Sequence, residues 1–222
     1  MLKEFFDNAM HELRAFKGSR ENRNGQAELR DKWNKAPAVF AQDSDHFYQH
    51  EVGDSYLYDL ACWHSSGTLY PWGQLVHSHA IGTVWDFGGG IGTYSLLAAA
   101  SPIVSRVYYD DINLVNVEFA QWRFDRSGLS DKIVISKPTE TVDSIIALDV
   151  IEHLTSPFEH LDTFTKITTR GARMIVNITS HTSGGEHPMH IVDSKLAQDW
   201  FEYMKHNWKT IVKGSPSVWE RL

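Results

Sequence analysis

A cluster of glycines between residues 88 and 92 has the residue types and spacing that could hold a nucleotide-like ligand. The apolar run 83–87 ends in Gly88, Gly89 and Gly90, and Gly92 follows just before a second apolar stretch. Glycine adopts positive φ and lets backbone N–H groups approach a ligand, and the following helix N-terminus favours negative charge. The segment therefore predicts a sharp turn from strand to helix beside a bound ligand.

The spacing of these glycines excludes two common nucleotide motifs. A dinucleotide fingerprint requires G-x-G-x-x-G, but counting from Gly88 places Thr93 at the third glycine position, and counting from Gly90 places Ser95 there. The phosphate loop of nucleoside triphosphatases is absent as well, because no Gly-Lys-Ser/Thr follows. What the sequence does contain is an acid, one residue and then alternating glycines.

That pattern, Asp86-x-Gly88-x-Gly90-x-Gly92, resembles the first motif of Rossmann-like (class I) S-adenosylmethionine-dependent methyltransferases. The resemblance implies S-adenosyl-L-methionine as the cofactor. It places the acid near the methionine end of the cofactor, and the glycines beside its ribose and amino-acid portion. The cofactor-binding residues implied in this segment are Asp86, Phe87, Gly88, Gly90 and Gly92.

A pair of acids follows the second predicted strand, about 20 residues beyond the glycines, where dinucleotide enzymes place a ribose-binding carboxylate. The residues are Asp110 and Asp111, followed by Ile112 and Asn113. Aligned on the family's pattern of acid, hydrophobe and Ser/Asn, the resemblance assigns the ribose hydroxyls to Asp111 and the adenine contact to Ile112. Asp110 is the second choice for the ribose.

Residues 149–154, Asp-Val-Ile-Glu-His-Leu, are similar to the fourth motif of small-molecule methyltransferases of the quinone-biosynthesis type. Ligands bind at the carboxyl ends of parallel strands, so we expect Asp149 to face both cofactor and acceptor. Methyl transfer needs positioning and removal of the acceptor's proton, for which histidine is a suitable base. The predicted catalytic residues are Asp149, His153, His187 and His190.

Two alternatives remain open. Asp149, Glu152 and His153 are similar to the E-x-x-E-H ligands of metal-assisted enzymes that methylate catechol or RNA ribose hydroxyls, and His187 or His190 could complete the site. A bound Mg or Mn ion would lower the pKa of an acceptor hydroxyl. The shorter aspartate disfavours this site, so we predict no metal. The other alternative is a non-catalytic cofactor-binding protein of the same fold.

Bulk composition narrows the class of acceptor. The formal net charge of -7 disfavours binding to nucleic acid, which relies on clustered Lys and Arg. We therefore expect methyl transfer to an oxygen or nitrogen of a small molecule. The N-terminus lacks a secretory signal pattern, no apolar run approaches the roughly 20 residues of a membrane span, and the single cysteine fits a reducing cytoplasm. The oligomeric state stays open.

Alternating apolar and amphipathic segments predict the fold: an α/β, doubly wound, mostly parallel sheet with an N-terminal helical lid. Strands are predicted at 83–87, 105–109, 132–136, 142–148, 172–178 and 208–213, with 218–222 available as a further strand. Asn113 and Gly128 should bound one helix, Ser156 and Glu159 should form a capping box, and Gly171 should end the helix that it starts.

Residues 1–82 are predicted to form a helical cap or lid, and residues 83–222 the cofactor-binding core. Several aromatic residues precede the glycine segment, and they could either build a lid over a ligand or pack as ordinary core. These residues are Tyr56, Tyr58, Trp63, Tyr70 and Trp72.

Overall fold

The computed structural model describes residues 2–180, 188–190 and 193–222, and seven strands in this part of the chain form one sheet. The strands are β1 (Gly82–Phe87), β2 (Val104–Asp110), β3 (Ile133–Ile135), β4 (Val142–Ala147), β5 (Thr168–Val176), β6 (Trp208–Val212) and β7 (Ser217–Arg221). Their order is β3-β2-β1-β4-β5-β7-β6. The first five are parallel, whereas β7 runs antiparallel to both β5 and β6. The predicted doubly wound, mostly parallel sheet is confirmed, and the chain's last residues supply the antiparallel partner of β6.

Helices cover the sheet and precede it. Before β1 lie α1 (Glu4–Asp7), α2 (Ala9–Lys17), α3 (Gly25–Trp33), α4 (Pro37–Phe40), α5 (Ser44–His46), α6 (Asp54–Ser65) and α7 (Tyr70–His79). After it come α8 (Thr93–Ala99), α9 (Leu114–Ser127), α10 (Pro157–Ile167) and α11 (Leu196–Met204). A π-helical turn, Phe47–Glu51, joins α5 to α6, and a 3-10 turn, Ile151–His153, follows β4. Among the described helices, none has the length and apolarity needed to cross a bilayer.

Side chains that alternate along the strands divide the core between the two faces of the sheet. Val84 and Ile146 pack with α7 and α8 on one face, and their neighbours Trp85 and Ile145 pack with α10 and α11 on the other. Successive side chains of a strand point to opposite faces, so a strand covered on both sides must be apolar at consecutive positions. This explains why β4 is buried at Ser144 and at every residue from there to its end.

Local sequence signals account for several helix ends. The Oδ1 of Asn113 accepts a hydrogen bond from the backbone N of Asn116 at 3.0 Å, and Gly128 ends α9 with φ 72°, both as predicted. The predicted capping box at Ser156 is wrong, because its side chain makes no capping hydrogen bond. Pro157 occupies the first helical position, as predicted, where its fixed φ suits the start of a helix.

Gly171 does not end a helix as predicted. The helix α10 ends at Ile167, and Gly171 lies inside β5 with φ 86°. The pairing of β4 with β5 shifts register between Val142 and Ser144, opposite this part of β5. A glycine with positive φ suits such an irregularity as well as it suits a helix terminus, and the sequence does not distinguish the two.

A buried arginine joins the N-terminal helices to the sheet-forming part of the chain. The Arg123 guanidinium on α9 donates to Glu12 Oε2 at 2.8 Å and to the carbonyl oxygen of Phe5 at 2.7 Å. It also donates to the carbonyl oxygen of Ile91 at 2.6 Å and to Thr93 Oγ1 at 2.8 Å. One side chain thus connects α1 and α2 with the glycine loop, α8 and α9.

We predict that Arg123→Met lowers the free energy of unfolding by about 3–5 kcal/mol, because it leaves Glu12 and the carbonyl groups of Phe5 and Ile91 without their cationic donor. Chemical denaturation measures the loss. Arg126→Met is the matched control on the same helix, since the Arg126 side chain is exposed and rests over the Trp122 ring. Equal losses in the two variants would contradict the role of Arg123.

Candidate functional site

A crevice lies at the carboxyl ends of the central strands. The strand order reverses between β1 and β4, which is where ligands bind in open α/β sheets. A cavity of about 480 Å³ occupies this place, within the size range of small-molecule sites. Its lining from the sheet side is Phe87, Gly88, Asp110, Asp111, Ile112, Lys137, Asp149, Val150, His153, Leu154 and His160.

The glycine loop forms one wall and fits closely against its surroundings. Gly88 has φ 64°, and a Cβ there would lie 2.5 Å from Val150 Cγ2 of the loop after β4. Gly92 has φ 72° at the start of α8, and a Cβ there would lie 2.6 Å from the Phe124 ring. Both positions therefore require glycine. Of the predicted cofactor residues in this segment, Phe87 and Gly88 line the cavity, whereas Gly90 and Gly92 hold the loop behind it.

Asp111 fixes the loop after β2 to the glycine loop. Its Oδ2 accepts from the backbone N of Gly90 at 2.8 Å, and its Oδ1 accepts from the backbone N of Asn113 at 2.8 Å and from Asn116 Nδ2 at 3.2 Å. Burial raises the pKa of Asp111 to about 6, because its effect exceeds that of these hydrogen bonds, which lower the pKa. Ile112, which the resemblance assigns to adenine, is 40% exposed and lines the cavity.

Asp110 also lines the cavity but has a different partner. Trp85 Nε1 donates to Asp110 Oδ1 at 2.5 Å, which turns that carboxylate toward the α10 side of β1. Burial raises the pKa of Asp110, and the nearby Lys137 opposes that rise. Both acids are therefore at the crevice, and the structure distinguishes them by their partners.

The predicted cofactor residue Asp86 does not line the cavity. It is 1% exposed, and Ser95 Oγ donates to its Oδ2 at 2.6 Å, which ties the end of β1 to the first turn of α8. Burial raises its pKa to about 7, with Asp110 and Asp111 contributing. Its visible role is to hold the glycine loop in place.

Asp149 occupies a strained position at the end of β4. Its φ of 52° is the one positive value among the described non-glycine residues. Asn177, just after β5, accepts from its backbone N at 2.8 Å and donates through Nδ2 to its Oδ1 at 2.6 Å. Trp63 Nε1 approaches its Oδ2 at 3.4 Å. Strain that the surroundings enforce in this way is typical of functional positions.

Two of the three predicted catalytic histidines lie together. The His153 and His190 rings meet edge to face with centroids 4.4 Å apart. The Tyr48 hydroxyl lies 2.6 Å from His153 Nδ1, and Ser44 Oγ donates to the carbonyl oxygen of His153 at 2.8 Å. His187 falls outside the described residues.

The described residues of the alternative metal site, Asp149, Glu152, His153 and His190, are not grouped to hold a metal ion. Glu152 is 1% exposed, and burial, followed by the charge of Asp149, raises its pKa to about 8. Within residues 2–180, 188–190 and 193–222, no three or more His, Cys, Asp or Glu side chains are grouped so that they could hold a metal ion. Glu152 is instead a buried residue of the same loop that carries Asp149 and His153.

The N-terminal helices complete the cavity with residues that no sequence motif marks: Asp45, Tyr48, Gln49 and Tyr56. Of the aromatic residues that could have formed a lid, Tyr56 lines the cavity and Trp63 reaches Asp149, whereas Tyr58, Tyr70 and Trp72 pack in the core. Lys137 and His160 were also missed, because each stands alone in a segment without a recognisable pattern.

Comparisons with known proteins bear on the fold. No family model matches this sequence, and no curated protein matches it. An O-methyltransferase family protein from Burkholderia thailandensis superposes with a TM-score of 0.62 and 12% identity, covering 89% of this chain and 70% of that one. The chain also resembles a candidate rRNA methylase from Clostridium thermocellum, with a TM-score of 0.54, 12% identity and coverage of 70% and 96%.

A candidate methyltransferase from Streptococcus mutans, in complex with SAH, matches with a TM-score of 0.51 and 9% identity over 69% of this chain and 97% of that one. At such identities the likeness establishes the Rossmann-like methyltransferase fold. The neighbours differ in their acceptors, so the fold leaves the acceptor of this chain undecided.

We predict that Asp86→Asn stabilises the protein increasingly as pH rises. The folded pKa of about 7 exceeds the ordinary 3.8, so Asp86 favours the folded state when protonated and loses that contribution as pH rises through about 7. Each pKa unit is worth about 1.4 kcal/mol. Denaturation of the variant and the wild type between the ordinary pKa of 3.8 and a pH of about 7 measures the difference in unfolding free energy. Asp125→Asn, at an exposed position, is the control. Stability curves that stay parallel would contradict the burial argument.

Proposed function

We propose that this protein binds S-adenosylmethionine in the crevice and transfers its methyl group to an oxygen or nitrogen of a small-molecule acceptor. The observation that carries the proposal is the position of Asp111 at the cavity, bonded to the Gly90 amide of the glycine loop. Its Oδ2 accepts one protein hydrogen bond, and a carboxylate oxygen can accept about two. A ribose hydroxyl is the partner that we assign to the remaining position.

The charge of the cavity supports this choice of ligand. The described residues that line it include four aspartates, Asp45, Asp110, Asp111 and Asp149, and one lysine, Lys137. A sulfonium cofactor with an ammonium group carries net positive charge at neutral pH, and an acidic cleft attracts it. The same charge repels the phosphates of a nucleic acid. This favours a small acceptor over RNA, although one fold neighbour is described as a candidate rRNA methylase.

The reaction would be an in-line displacement. A lone pair of the acceptor forms a bond to the methyl carbon, the carbon–sulfur bond breaks with its electrons passing to sulfur, and the acceptor gives up a proton. Such chemistry depends on positioning and on a base. Asp149 and His153 line the cavity beyond the glycine loop, where the acceptor would enter, and the His190 ring packs against that of His153. The quinone-biosynthesis type of acceptor stays a prediction.

Asp111→Asn should weaken binding of S-adenosylhomocysteine about 10- to 100-fold, because a hydrogen bond to a charged group contributes about 1.5–3 kcal/mol. Isothermal calorimetry measures the affinity. Asp110→Asn tests the alternative ribose ligand and should lose less, and Asp125→Asn on the outer side of α9 should lose nothing. If Asp110→Asn loses more, the ribose assignment is wrong, and absence of binding by the wild type removes the proposal.

His190→Ala should lower kcat by about 10²- to 10⁴-fold while cofactor affinity is retained, as expected for loss of a general base. Mass spectrometry of phenols, catechols and amines detects the product by the added mass of one CH₂. Exposed His206, whose Nδ1 lies 2.8 Å from the nearby Tyr203 carbonyl oxygen, provides the control His206→Ala.

The same assay distinguishes the alternatives. Cofactor binding without any product would favour the non-catalytic protein, and methylation of RNA oligonucleotides alone would contradict a small acceptor. Loss of activity with a chelator, restored by Mg or Mn, would reinstate the metal-assisted mechanism.

A further inference from the structure

The hydrogen bond between Tyr48 and His153 joins the N-terminal helices to the acceptor end of the crevice. The two side chains lie 2.6 Å apart, Oη to Nδ1, and both line the cavity. Asn113 Nδ2 donates to the carbonyl oxygen of Tyr48 at 2.7 Å, and Ser44 Oγ donates to that of His153. The pair is therefore fixed from both backbones. Tyr48 lies in the π-helical turn, an element found frequently at functional sites.

The direction of this hydrogen bond follows from the chemistry of the two groups. A phenol has one proton to donate, and a neutral imidazole has one bare nitrogen and one protonated nitrogen. The bare imidazole nitrogen is a better acceptor than a phenol oxygen, and burial raises the pKa of Tyr48, which keeps its proton in place. Tyr48 thus donates to Nδ1, and the proton of neutral His153 must then be on Nε2.

We propose that Tyr48 is a positioning residue that holds neutral His153 in the Nε2–H tautomer, so that His153 donates a hydrogen bond to an oxygen of the acceptor instead of removing its proton. The tautomer rests on the Tyr48–His153 hydrogen bond and on the chemistry of a phenol beside a neutral imidazole, whereas the role toward the acceptor rests on the proposed function. A neutral donor stabilises negative charge that develops on oxygen. The acceptor class is thereby narrowed to hydroxyl compounds, such as phenols or enols.

The base is then His190, whose ring lies edge to face against His153. In the methyl transfer, the acceptor oxygen forms a bond to the methyl carbon and the carbon–sulfur bond breaks with its electrons passing to sulfur. The O–H proton of the acceptor passes to the His190 imidazole. His153 keeps its own proton throughout. The two neighbouring histidines therefore perform different tasks, because Tyr48 occupies Nδ1 of His153 and holds its proton on Nε2.

Long-range ¹⁵N–¹H NMR spectra of the histidine side chains test the tautomer in the ligand-free protein. We expect a protonated Nε2 and a bare, hydrogen-bonded Nδ1 for His153, assigned by the signals missing in His153→Gln. Tyr48→Phe removes only the hydroxyl, and His153 should then populate both neutral tautomers. Tyr56→Phe, whose ring centroid is 5.4 Å from that of Tyr48, should leave the His153 signals unchanged. A proton on Nδ1 in the wild type would overturn the proposal.

Substitution of His153 tests its role with the acceptor. Glutamine places an amide N–H near the position of Nε2–H, so His153→Gln should keep kcat within about tenfold of wild type, the effect of one neutral hydrogen bond. His153→Ala should lose more. If glutamine is as inactive as alanine, with a loss of about 10²-fold or greater, His153 is the base and the donor role is wrong. The affinity of both variants for S-adenosylhomocysteine, measured by calorimetry, should equal that of the wild type. This control separates an effect on the acceptor from an error in the proposed cofactor.

Discussion

The crevice depends on one constraint: β1 and β4 are neighbours in the sheet, but the chain continues from each of them in opposite directions across the sheet. β1 and β4 pair in register with Asp86 opposite Ile146, and the chain leaves them toward opposite edges of the sheet. Backbone hydrogen bonds therefore bring the glycine loop and the Asp149 loop together, although about 60 residues separate them. The missing Cβ of Gly88 then lets Val150 approach closely. The site is positioned by the sheet before any side chain in it acts.

The N-terminal helices are fastened to this edge by polar contacts that reach functional segments directly. Arg123 holds α1 and α2 against the glycine loop. Asn113 holds the π-helical turn through the carbonyl oxygen of Tyr48, and Trp63 reaches Asp149. Each contact ends on a residue at or beside the crevice, so the helices and the site are stabilised together. A change in the position of these helices would alter the cavity wall that carries Asp45, Tyr48 and Gln49.

Sequence alone predicted the parts of the molecule that depend on local rules. Strand positions followed from apolar runs, the cap at Asn113 from its side chain, and the place of Asp111 at the cavity from a motif tied to a strand end. The contribution of Tyr48 could not be predicted, because the short helices before β1 have no sustained period and their placement depends on tertiary packing. Gly171 was misassigned for another reason: a helix terminus and a strand irregularity both need positive φ, and one residue type satisfies either.

The acids of the site also explain why the ligand-free fold carries electrostatic strain. Burial raises the pKa values of Asp86, Asp111 and Glu152 to about 7, 6 and 8, so that ionising them at neutral pH costs stability. A protein selected for stability alone would replace such groups with neutral ones. A cationic ligand offsets part of the cost, because it stabilises the ionised carboxylates and favours the folded state that binds it. Rising pH therefore weakens the ligand-free protein, and the main cause is shared by all three residues, the burial of their carboxyl groups.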